Sequence, residues 1–536
     1  MPITSGSQEI PLEIVGSSTF GRYPTVSSSR TYNMFISTAD DNREAWLINF
    51  AGYSAIKTLV EAEIPGRGIF HSIRGGFTIA VVGTQVFRIN SISGTTPAVL
   101  LGSLTTSTGE VSIDENLASQ ICIVDGTNAY IYNYTSGASP SFGTAVFSDS
   151  PTATDFVPNY VTYQNTFFVF GNGSQNPNGS QWRVYAAASN TDLTAQVTLA
   201  LETKPDYAIA ALRIPGAGNN LIVFGTNVAE IWTQIPNLNT YQRNQGINID
   251  YGCISVSTIG SSDNMVAWLS VNEKSSPAIM VMSGGQARRI STDGIDFLMD
   301  SIQFPEQSTG FFFRQDGHLF YQLTFFNSAD NLTIAYDFTT EKFFDLTDWD
   351  FNYHPARQIA YVDGDLYFVS LNDGKLYETG SDLTQYSSFP GLINYDIPRI
   401  RTSNTFRLPT PGEFKVNLLT FWVESGTTSG VNDVTQCTGY ILDEVTGLPI
   451  YDEDDTPLLV EGGECHIYKP RVDVKISKNA GITWSNTVAY EMHNTGNFSA
   501  QPRFSQLGSC NQFTVQMRYW NTGRVVVKNA MIEVSK

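Results

Sequence analysis

Asp452, Glu453, Asp454 and Asp455 form the densest run of carboxylates in the chain. Several carboxylate oxygens at close spacing suit a hard cation such as calcium, or a basic partner. The run lacks the alternating Asp/Asn spacing and following glycine of a calcium loop, so a solvated acidic loop is the simpler reading. The five histidines (His71, His318, His354, His466 and His493) stand singly. None has a second His or Cys at ligand spacing, and His466 beside Cys465 comes nearest. The five cysteines (Cys122, Cys253, Cys437, Cys465 and Cys510) are widely spaced with no CxxC pair. They read as reduced, mostly buried thiols, with a Cys437–Cys465 bridge left open. Gly374-Lys375 is followed by Leu376 and lacks the upstream glycine of a phosphate-binding loop, and neither GxSxG nor HExxH occurs. The sequence supports neither nucleophilic nor zinc chemistry, and no catalytic residue, cofactor or metal is expected.

One sharper pattern is Ser477-Lys478-Asn479-Ala480-Gly481-Ile482-Thr483-Trp484. It resembles the Asp-box of sialidases, S-x-D-x-G-x-T-W, with Asn479 in place of Asp. In such a hairpin the Asp or Asn side chain bonds the turn backbone, so Ser477, Asn479, Gly481 and Trp484 are expected to be structural, with the Trp packing beneath. The resemblance leaves a carbohydrate-binding or sialidase-like propeller as the alternative function. The pattern occurs once, however, and the clustered arginines, Tyr nucleophile and acid of a sialidase cannot be assembled by spacing.

The elements that position these residues are β-strands. Of 536 residues, 41% are hydrophobic and only 15% charged, so the polar surface consists of Ser, Thr, Asn, Gln and Gly, which favour turns and sheets. A disordered chain is excluded. The 51 acidic and 31 basic residues leave a net charge of −20, which opposes sequence-independent phosphate binding and attraction to an anionic membrane. The opening MPITSGSQEIPLEIV carries no basic or apolar signal region, and no apolar run is long enough to span a bilayer.

A strand-like apolar run, a Gly/Asn/Asp turn and a second β-rich run recur along the chain. Copies are FTIAVVGTQVFRI from Phe77, SQICIVDGTNAYIY from Ser119, NTFFVFGNG from Asn165, NNLIVFGTNVAEIW from Asn219, NMVAWLSVNEKSS from Asn264, GHLFYQLTFF from Gly317 and GDLYFVSLNDGKLY from Gly364. Their turns fall near Gly83, Asp125, Gly171, Gly225, Asn272, Asn327 and Asn372, steps of about 42 to 55 residues. That is the spacing of a four-stranded propeller blade, which buries its faces only against its neighbours. The expected fold is all-β: a β-propeller of six or seven blades over residues 51–395, then a C-terminal antiparallel β-sandwich over 396–536. The latter has long alternating strands such as KVNLLTFWVES and RVVVKNAMIEVS. An acidic insert around 427–467 interrupts it. Residues 1–50 read as an extended N-terminal arm that completes the last blade or reaches a neighbouring subunit.

The segment Leu221–Trp232 (LIVFGTNVAEIW) resembles a blade of the tail hub and nozzle proteins of short-tailed phages, the packaged DNA stabilisation family. Three further regions are similar to that family: Val266–Thr292, the run from VKISKNAGITW through FTVQMRYWNTGRVVVKNAMIEV, and the early RTYNMF and FAGYSAI. The resemblance implies a non-enzymatic virion protein assembled in the host cytoplasm. Six copies would form a tube below the portal and adaptor, touching tail fibres or tailspikes and holding DNA until ejection. DNA would pass its lumen without sequence-specific binding or membrane insertion, and an acidic wall would avoid capturing phosphates.

Overall fold

The computed structural model describes every residue except 1–5, 24–28, 39–43, 93–95, 136–140, 151, 153, 176–177, 236–237, 239, 273–274, 388–393, 410, 426–433, 438–457, 459–464, 469–470, 493–498, 521–522 and 536. Six antiparallel units, each with four consecutive strands, succeed one another over 66–103, 112–144, 158–200, 210–249, 260–289 and 308–346. A short parallel strand, Val146–Phe147, is added to the third. The seventh unit is composite. Its first three strands are Ala356–Val362, Asp365–Ser370 and Lys375–Gly380, and its fourth is Gly52–Thr58 from near the N-terminus, antiparallel with Thr58 opposite Lys375.

The apolar runs that mark the repeat are the second strands of these units. Phe77–Val82 and Phe167–Asn172 are buried at every position, because each unit is covered on both faces by its neighbours. Period-two alternation then assigns successive residues to opposite neighbours. Ile121 and Ile123 pack on Phe77, Ile79 and Val81 of the first unit, while Cys122 and Val124 pack on Phe168 and Phe170 of the third. Seven such interfacial cores form a closed cycle. The last joins Tyr367 and Val369 of the seventh unit to Ile69 and Ala80 of the first. The fold is a β-propeller. Several first-to-second-strand turns place non-glycine residues at positive φ, among them Asp263 (51°), Asp316 (48°) and Asp363 (54°), the backbone twist that tight hairpins require.

The remaining strands gather into two sheets. One continues the sixth unit outward: Lys342–Leu346 pairs in parallel with Arg30–Tyr32, followed by Arg399–Thr402, Thr514–Trp520, Arg471–Ser477 and Val488–Glu491. The other is built on Val525–Ser535 and Phe414–Ser425, with Ala45–Asn49, Met34–Thr38, Gln8–Leu12, Arg503–Cys510 and Ser499–Ala500 around them. Both sheets contribute to one core, in which Val416, Leu419, Phe421 and Ile532 meet Val472, Val474, Val515 and Met517. The N-terminal segment read as an arm does not stand apart. Its strands are built into these two sheets, and the next strand, Gly52–Thr58, closes the ring. Of the insert, only the ribbon Val434–Cys437 against Cys465–Tyr468 and Leu458 are described.

Candidate functional site

The seven inner strands converge on an axial cavity of about 470 Å³. Its lining includes His71, Asp114, Tyr160, Arg213, Phe312 and Gln358, drawn from six different units. At one end lies Glu110, on the connection between the first and second units, with 12% of its side chain exposed. Its carboxylate accepts 2.8 Å from Thr309 Oγ1 of the sixth unit and 2.7 Å from Gln358 Nε2 of the seventh. Arg357 Nε stands 4.0 Å away. Burial pushes the Glu110 carboxyl up to about 7, against the opposing pull of Arg357 and these hydrogen bonds. Gln358 extends the network: its amide nitrogen also donates to Val111 O at 3.1 Å, and its amide oxygen accepts from Ile69 N at 3.0 Å.

Arg67 braces the same end. Its guanidinium, fully buried, donates to Gly109 O at 2.7 Å, Gly83 O at 3.0 Å and Thr106 O at 2.6 Å. Asp114, elsewhere along the cavity, accepts from Tyr163 N at 2.6 Å and Glu115 N at 2.8 Å, and burial pushes it up to about 6. The bonds of Glu110 and Gln358 thus link the first, second, sixth and seventh units across one end of the cavity, and Asp114 links the second unit to the third. Glu110, Arg67 and Arg357 carried no sequence signal, being single polar residues at or just before the start of ordinary strands.

The residues singled out from sequence do not converge. Asp452, Glu453, Asp454 and Asp455 lie outside the described residues, as does His493. His71 meets Thr78 Oγ1 at 3.1 Å, and His318 meets Asp337 Oδ2 at 2.9 Å. His354 is pushed down to about 4 by burial and is neutral at pH 7. Cys122, Cys253 and Cys510 are free and buried. Cys437 and Cys465 lie directly opposite in the ribbon's backbone register; their side chains, and that of His466, lie outside the description. Among the described residues, no group of three His, Cys, Asp or Glu could hold a metal ion, and no helix is long and apolar enough to cross a membrane.

The Ser477–Trp484 turn follows Arg471–Ser477 in the sheet that continues the sixth unit. Ser477 Oγ accepts from Gly481 N at 2.8 Å and donates to Asn479 Oδ1 at 2.9 Å. Asn479 Oδ1 also accepts from Thr483 N at 2.9 Å, and its amide donates to Thr483 Oγ1 at 2.8 Å. Ala480 and Gly481 turn the chain at φ of 56° and 87°. Trp484 is half-buried and lines a cleft against the N-terminal segment and the helix Asp293–Asp300.

Residues 26–378 match the family model described as Bacteriophage P22 Gp10, beta-propeller. Three solved structures illustrate the wider likeness. The extracellular domain of BT4673 from B. thetaiotaomicron is 11% identical over 88% of this chain and 61% of its own, with a TM-score of 0.41. The N-terminal domain of Nup159 is 10% identical over 66% of this chain and 99% of its own, with a TM-score of 0.37. A luciferin-regenerating enzyme is 10% identical over 62% and 95%, with a TM-score of 0.34. No curated protein sequence matches the chain. The family match covers about two thirds of the sequence and reaches strands of all seven units; the chain therefore belongs to this family of phage structural proteins.

Proposed function

We propose that the chain is a component of a short phage tail. Copies of it would form the nozzle or hub tube that closes the portal channel, retains packaged DNA and conducts it at ejection. The observation that carries this reading is the family match across the whole propeller. Two physical features support it. The axial cavity of each propeller is crossed by the Glu110 network, so in this reading the DNA path runs between copies, which calls for a ring, of six on the resemblance above. The net charge of −20 disfavours phosphate capture, whose strength rises with each Lys or Arg contact. In this proposal one end of the ring meets an adaptor and its flank carries fibres or tailspikes.

The test is a phage stock grown without the chain. Heads that package DNA and then lose it, with retention restored by adding the purified protein, would support the proposal. Particles that keep and eject their DNA normally in its absence would refute it.

A further inference from the structure

We infer that the cleft beside the Ser477–Trp484 turn is a saccharide-binding site. This inference goes beyond the tail role and does not rest on it. Three stretches distant in sequence build the cleft: Phe20 and Tyr32 near the N-terminus, Phe297 on the helix Asp293–Asp300, and Trp484 with Gln516 in the C-terminal sheets. Its volume is about 360 Å³, within the roughly 300–1,000 Å³ of small-molecule sites, which favour such junctions.

The lining selects the ligand class. Four aromatic side chains edge the cleft; Arg30 and Arg22 lie over one face of Phe20 and of Phe297, and Phe297 is still 44% exposed. Between them stand uncharged hydrogen-bonding groups: the Gln516 amide, which donates to Thr402 Oγ1 at 3.3 Å and keeps its oxygen as an acceptor, and the Ser301 hydroxyl, which donates to Leu298 O at 2.6 Å and can accept. Among the described residues, Arg30 is the one cation lining the cleft, and its charge is already answered. It sits 3.2 Å from Asp345 Oδ1, with its guanidinium carbon 4.0 Å from the centre of the Phe20 ring. Arg22, over the Phe297 ring at 5.7 Å, is likewise paired, 3.3 Å from Asp293 Oδ1. Both cations near the cleft therefore already have a carboxylate partner, and no carboxylate among the described residues lines the cleft to hold a metal ion. Aromatic faces interleaved with neutral donors and acceptors suit a pyranose ring, which stacks its C–H face on an aromatic ring and hydrogen-bonds through its hydroxyls. The site is preorganised: the Ser477 and Asn479 bonds fix the turn that carries Trp484, and the packing of Phe20 O against Gly294 leaves no room for a side chain there.

The test uses the full-length chain, fluorescently labelled, on a printed array of bacterial surface oligosaccharides, followed by calorimetric titration of the best binder. Binding is expected, weakened roughly tenfold by Trp484→Ala and by Phe297→Ala. Ile482→Ala, exposed on the same turn and outside the cleft lining, should leave it unchanged. Phe297 is solvent-exposed on a helix, so its replacement by alanine keeps the fold and guards against a misfolded Trp484 variant. No binding across the array overturns the inference. Binding that survives both substitutions overturns it equally, by placing the sugar elsewhere.

Discussion

Substituting Glu110 by glutamine isolates the charge that crosses the propeller axis to Thr309 and Gln358. The folded carboxyl titrates at about 7, against an ordinary value of 4.5. Between those values the folded chain holds a proton that the unfolded chain releases, so this group's stabilisation is complete below pH 4.5 and is lost as the pH rises through 7. A difference of that size corresponds to about 3 kcal/mol in full, of which about 2.5 kcal/mol falls between pH 5 and pH 8. The glutamine amide cannot ionise, so the variant lacks this component. Asp114 and Asp396 also titrate high, at about 6, but they do so in both proteins and cancel in the comparison. In differential scanning fluorimetry, the melting temperature of Glu110→Gln relative to the parent should be higher at pH 8 than at pH 5 by about 2–3 °C, given a chain of 536 residues. An identical pH response in the two proteins would refute the reasoning, because it would mean that the bonds from Thr309 and Gln358 and the nearby Arg357 hold Glu110 ionised throughout.

Three other outcomes follow from the packing. Arg67→Met should lower the urea midpoint by the equivalent of about 3–5 kcal/mol, since it strips the donors from three carbonyls, and Arg67→Lys should recover little of this because one ammonium cannot reproduce the fork. A chain lacking residues 1–58 should elute from size exclusion as aggregate, because it leaves the Lys375–Gly380 edge unpaired; a monodisperse folded product would contradict the closure described here. Alkylation of the native protein at pH 8 should spare Cys122 and Cys253, whose thiols burial pushes up, that of Cys253 to about 12. Peptide mapping should find both labelled only after denaturation.

The propeller was legible because its second strands are sandwiched between neighbours, which turns the usual alternation into mostly apolar runs buried at nearly every position, such as Phe77–Val82 and His318–Phe326. Each run ends at a turn, and the turns set the period. The Ser477–Trp484 turn could be singled out for a similar reason, since Ser477 and Asn479 bond groups within four residues of themselves. The strand Gly52–Thr58 was not legible as the partner of Lys375–Gly380, because hydrogen-bond pairing over more than three hundred residues leaves no local periodicity in either segment. The same holds for Arg30–Tyr32, which bridges the sixth unit to the C-terminal sheets. Glu110 illustrates the limit most clearly: it follows a glycine in a polar stretch, and only closure of the ring brings Thr309 and Gln358 to it.

The most direct test of a tail role is immunogold electron microscopy of purified phage particles, using an antibody raised against the full-length protein. The account predicts gold at a single vertex of each particle, on the tail. Unlabelled particles, with an antibody that binds the isolated native protein, or label spread evenly over the capsid, would contradict it.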